Sequence, residues 1–146
     1  LLVLTNLDGL ARDMWNRAVQ DGAAGPLTAR AAIGSLFRAG DRSGFLDAWR
    51  ILFADADAKK PTQYDLDMLW ALVGSSLGPD TAPDTVALLE RSVRPRYPSG
   101  DLKRLAPSLE RTNGRSAVRD AIQRARRTAA NRREKKALDQ LFDQYD

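Results

Sequence analysis

Apolar residues recur along this chain at the three- and four-residue steps of an amphipathic helix, and almost nowhere at the two-residue alternation of a half-buried strand. Over residues 7–20, Leu7, Leu10, Ala11, Met14, Trp15, Ala18 and Val19 form one face, with Arg12, Asp13, Asn16 and Arg17 opposite. A second helix is predicted over 26–39 (Ala29, Ala32, Ile33, Leu36, Phe37), with Pro26 suited to its start and Gly40 to its end. The third begins near Ser43 and buries Phe45, Leu46, Trp49, Leu52 and Phe53. The fourth opens at Thr62, carries Leu66, Leu69, Trp70 and Val73, and stops before Gly78. A fifth takes Asp84 as its N-cap, offers Val86, Leu88, Leu89 and Val93, and ends ahead of Arg94-Pro95. The sixth lies around Leu102, Leu105 and Leu109, where Pro107 should kink it or move its start. The seventh and longest is predicted over 116–145. An all-α fold follows, and its short connections, rich in Gly, Pro, Asp and Ser, set neighbouring helices antiparallel. Trp15, Trp49 and Trp70 sit at core positions of their helices, which favours packing over a ligand pocket.

Three helix-stop-helix segments can be superposed by eye: LTARAAIGSLFRAGDRSGFLDAWRIL from Leu27, YDLDMLWALVGSSLGPDTAPDTVALL from Tyr64, and GDLKRLAPSLERTNGRSAVRDAIQRA from Gly100. Spacings of 37 and 36 residues between their starts suit an α-solenoid, in which each hairpin hides its apolar face against the next. The segment DMWNRAVQDGAAGPLTARAAIGSLFRAGD, a helix ending in Gly, then Pro, a new helix and Ala-Gly-Asp, resembles the pentatricopeptide and tetratricopeptide class of helical-hairpin repeats; KKPTQYD marks a similar boundary. The resemblance implies a right-handed stack of hairpins over residues 1–115, closed by a long basic helix over 116–146, all in one domain spanning 1–146. A generic helical bundle is the alternative that the same periodicity allows. In pentatricopeptide repeats, base identity is read by a polar residue early in each unit's first helix. Here that position falls on Arg30, Met68 and Arg104, none of them Asn, Ser or Thr, so the resemblance implies the architecture without sequence-specific base reading.

Composition narrows the chemistry. The 146 residues are 43% apolar and 29% charged, as in an ordinary globular domain. There is no Cys and no His, which excludes disulfides, Cys or His zinc sites, and Ser-His or Cys-His nucleophile pairs. Paired carboxylates are the remaining acid-base candidates, and none convinces. Asp55 and Asp57 in FADADAKK lack the glycine and the oxygen ligand of a calcium loop, where Lys59 and Lys60 stand instead. Asp65 and Asp67 point away from each other on a helix, and Asp80 and Asp84 suit turn and cap roles. No phosphate-binding glycine loop or nucleophile elbow occurs. Binding without catalysis, cofactor or metal is therefore the expected activity. The run from Leu1 to Leu4 is too short for a signal sequence, and no stretch approaches the roughly 18 apolar residues of a membrane span. The chain opens on Leu rather than Met, so it is expected to be a fragment of a longer protein.

Charge supplies the candidate surface. Residues 1–89 hold 8 Lys and Arg against 11 Asp, a net of −3, whereas 90–146 hold 15 against 8, a net of +7. Arg119, Arg124, Arg126, Arg127, Arg132, Arg133, Lys135 and Lys136 lie opposite an apolar face of Val118, Ile122, Leu138 and Leu141. Guanidinium groups grip phosphates bidentately, so this row suits an RNA or DNA backbone; a solvated helix capping a solenoid would look the same. No aromatic residue stands between Arg111 and Lys136 to stack on a base. Tyr97, in the loop RPRYPSG with Arg94 and Arg96, is the exposed aromatic expected to touch a partner or RNA, unless the loop is a plain connection. The expected partner is an RNA backbone, which the resemblance places in an intracellular, mitochondrial or other organellar or ribosomal assembly. The competing expectation is a protein-protein adaptor or structural subunit whose concave face takes a helix or an extended peptide.

Overall fold

The computed structural model describes residues 2–53 and 60–146, with side chains from Leu7 onward; Asp55, Asp57 and Lys59 of the rejected calcium loop lie outside the described residues. Eight α-helices and one 3-10 turn make up the regular structure, without a strand among the described residues. They divide into two compact units, 1–62 and 63–146.

The first unit holds α1 (Leu2–Gln20), α2 (Pro26–Arg38) and α3 (Arg42–Phe53), with α2 packed against both neighbours. Both α1 and α2 stop at a glycine with positive φ, Gly22 at 67° and Gly40 at 69°. Beyond each glycine the chain reaches back: the amides of Gly40 and Asp41 donate to the carbonyls of Phe37 and Leu36, closing the last turn. Asp41 then serves the next helix, its carboxylate accepting the Gly44 amide at 2.9 Å. Trp15, Ala29, Ile33, Leu36, Phe45 and Trp49 fill the core. An aromatic row continues along α3, with ring centroids of Phe45 and Trp49 6.0 Å apart and those of Trp49 and Phe53 4.6 Å apart.

The second unit holds α4 (Gln63–Leu72), the 3-10 turn Gly74–Ser76, α5 (Pro83–Arg91), α6 (Pro98–Asn113), α7 (Arg115–Thr128) and α8 (Arg132–Gln144). Helix α6 is its axis, packing on α5, α7 and α8, and α7 also packs on α8. Leu102, Leu105 and Leu109 give it a fully buried edge. Trp70 is buried on α4, with its indole N–H donating to the Ser92 carbonyl at 2.8 Å.

Three expectations about elements need correction. The predicted helix over 116–145 is two helices: Ala129 turns extended, and the Asn131 side chain accepts the Glu134 amide at 2.9 Å to start α8 afresh. Asp84 is not an N-cap, because Pro83, whose fixed φ fits a first helical position, starts α5 one residue earlier. Pro107 neither ends α6 nor sets its start, which falls at Pro98. Pro107 and Lys103 both lie on the exposed side of α6, where water can serve the carbonyl that proline leaves unpaired. Each of the three superposed sequence segments spans most of two consecutive helices, α2 and α3, α4 and α5, and α6 and α7; the first and third of these pairs pack on each other, whereas α5 packs chiefly on α6. No described helix is long and apolar enough to cross a membrane.

Candidate functional site

The basic residues of the second unit fall into two groups once their partners are known. Arg124 reaches back to Glu90 on α5 at 2.6 Å. Arg126 forks onto Asp139 of α8, Nε at 2.6 Å and Nη2 at 3.3 Å, and this pairing raises its pKa. Arg119 stands over the Phe142 ring at 5.0 Å and meets Asp146 at 3.4 Å. These three link α7 to its neighbours, although solvent screens exposed pairs of this kind and leaves each a small contribution. Arg127, Arg132, Arg133, Lys135 and Lys136 make no ion pair or side-chain hydrogen bond among the described residues. They gather where α7 ends and α8 begins.

That corner concentrates positive potential. Arg132, Arg133 and Lys135 occupy the first turn of α8, where unpaired backbone N–H groups already carry about half a positive charge. Cations there are opposed by the helix dipole at a cost of roughly 0.3–1 kcal/mol each, and an anion arriving there relieves both. Glu134 is the acid of that turn, and its carboxylate accepts the Ser99 hydroxyl.

The loop before α6 is fixed from within. Asp101 is fully buried, and Arg94 surrounds it: the Arg94 amide donates at 2.9 Å, Nη2 at 2.8 Å and Nε at 3.1 Å, while Nη1 reaches Asp67 at 3.0 Å. The hydrogen bonds to Asp101, and then to Asp67, hold the guanidinium charged against its burial. With its side chain only 15% exposed, Arg94 turns inward on these carboxylates and presents little to solvent. Its guanidinium carbon also stands 4.9 Å from the Tyr97 ring centroid, backing that ring. Tyr97 itself is 50% exposed, and Arg96 beside it is exposed without an ion pair.

Two clefts flank this loop within the unit. One, of about 300 Å³, lies among α5, α6 and α7 and includes Arg91, Arg94, Arg124 and Thr128. The other lies between α6 and α8: Arg96, Tyr97, Asn131 and Arg133 border a hollow of about 550 Å³. It shares Ser99, Gly100 and Ala137 with a further hollow of about 260 Å³ that carries Lys103, Gln140 and Gln144. Together they form a groove lined by the small residues Ser99, Gly100 and Ala137, with Arg96, Lys103 and Arg133 and the single acid Glu134 along it. The structure thus brings Arg96 and Tyr97, 37 and 36 residues before Arg133 in sequence, to the same groove as Arg133. Arg91 and Lys103 were missed by sequence reasoning; Lys103 stands four residues before Pro107 on the face that water reaches, a spacing that could have pointed to it. Asn131 followed by Glu134, a capping pattern, could have revealed the break that makes the corner.

Among the described residues no cluster of three or more acidic, His or Cys side chains could hold a metal ion. No family model, no curated protein and no solved structure matches this chain.

Proposed function

We propose that the chain is a non-catalytic binding module of helical-hairpin repeats whose second unit holds the phosphate backbone of a nucleic acid, RNA foremost, along the α7–α8 corner and the α6–α8 groove. The observation that carries this reading is the set of unpaired cations, Arg127, Arg132, Arg133, Lys135 and Lys136, collected around one helix N-terminus and joined by Arg96 across the groove. The repeat reading draws support from the near-equal sequence spacing of α2, α4 and α6 and from the packing of α2 on α3 and of α6 on α7. Phosphates satisfy such an array by displacing counterions, so affinity must fall steeply with salt. Titrating labelled single-stranded RNA between about 50 and 200 mM salt tests it, and absence of binding at the lowest salt rejects it.

A second reading, a protein-protein adaptor, is favoured by a different surface. Leu7, Leu10 and Met14 line one side of α1 and are more than half exposed, at 56%, 59% and 68%. A stoichiometric protein partner that survives nuclease treatment and is lost on Met14→Asp would select this reading.

A further inference from the structure

We infer that the groove between α6 and α8 seats one unpaired nucleobase on the ring of Tyr97, so that the module takes single strands in preference to duplex; this rests on the nucleic-acid reading above and assigns a site within it. A phosphate-binding surface alone does not need an aromatic residue, and does not distinguish a single strand from a duplex except by charge density. This groove has more. Tyr97 borders a hollow of about 550 Å³, within the range of small-ligand pockets and ample for one nucleotide. The ring is half exposed and is backed by Arg94, which is itself held by the buried Asp101. A preorganised aromatic platform loses little entropy when a base stacks on it. Arg96 and Arg133 border the same hollow without ion pairs, where the phosphates flanking a stacked base would lie, and Glu134, the one acid on its lining, accepts the Ser99 hydroxyl. Gly100 and Ala137 keep the floor shallow enough for a sugar-phosphate chain to approach closely. A base paired in a duplex cannot leave its stack to reach Tyr97 without losing its partner, and so single strands are favoured.

The experiment measures binding of the full chain to a labelled oligouridylate, to the same oligonucleotide carrying abasic positions throughout, and to a duplex of equal phosphate number, all at low salt. Tyr97→Ala is expected to weaken oligouridylate binding roughly 5- to 150-fold, the worth of one stacked base, while leaving duplex and abasic strand unchanged. Tyr97→Phe should bind as wild type. The abasic strand on the unaltered protein gives the same answer without a variant, should Tyr97→Ala disturb the loop. Equal binding of oligouridylate and abasic strand, or equal losses on all three ligands in Tyr97→Ala, overturns the base site while leaving phosphate binding intact. Failure of every ligand to bind overturns the nucleic-acid reading itself.

Discussion

Arg94 shows how a basic residue can serve a surface without being part of it. Four of its five hydrogen bonds go to one buried carboxylate, and removing it would leave Asp101 charged and without its cation in the interior. Arg94→Met should therefore cost about 3–5 kcal/mol in urea unfolding, and Arg94→Met with Asp101→Asn distinctly less. Gly74 is equally constrained by shape: a Cβ there would come within 2.5 Å of the Trp70 ring, which is wholly buried. Gly74→Ala is expected to destabilise by roughly 1–3 kcal/mol, read from the same denaturation curves. In the other unit, hydrogen bonds from Arg38, then Ser35, hold the Asp8 carboxyl at about 2. The folded state thus takes up this proton later than the unfolded chain, whose Asp titrates near pH 4, and stability falls with pH between them. The contribution is complete above about pH 4 and lost through about pH 2, so the unfolding midpoints of wild type and Asp8→Asn should converge on acidification. A gap that stays constant with pH would refute the coupling.

At the level of elements, helix period and punctuation were the legible part. Pro26, Gly40 and the apolar spacing placed α2 almost to the residue, and Trp15, Trp49 and Trp70 were placed in the core where they lie. The break between α7 and α8 was not read, because Thr128-Ala129-Ala130 has nothing against helix in it and the basic and apolar faces continue across it. What marks it is one side-chain hydrogen bond, from the Glu134 amide to Asn131, with Ala129 extended ahead of it. Asn131→Ala should cost about 0.5–2 kcal/mol, with faster amide exchange confined to the first turn of α8. The groove was illegible for a different reason: which face α8 turns to α6 depends on that break, and sequence spacing carries no such angle. Arg96, Tyr97 and Arg133 were each singled out by chemistry, yet nothing in their spacing announced that they meet.

Across the molecule, charge is partitioned along the chain, net −3 before residue 90 and +7 from there on. Each side-chain cation that neutralises a phosphate of a single strand, and so releases a counterion condensed on that strand, adds about 0.7 to the logarithmic salt slope. Replacing Arg127, Arg132 and Arg133 by Glu should flatten that slope by about 2, whereas Arg124→Gln and Arg126→Gln, which remove cations already neutralised by Glu90 and Asp139, should change it little. Equal effects of the two sets would mean that intramolecular pairing does not decide which arginines bind. The first turn of α8 carries cations that its own dipole opposes, so Arg132→Glu and Arg133→Glu should raise the melting temperature even as they weaken the proposed phosphate binding. A laboratory that evolved this protein for heat resistance alone would accept those changes early, and would arrive at a sturdier scaffold stripped of the charge on which the proposed binding depends.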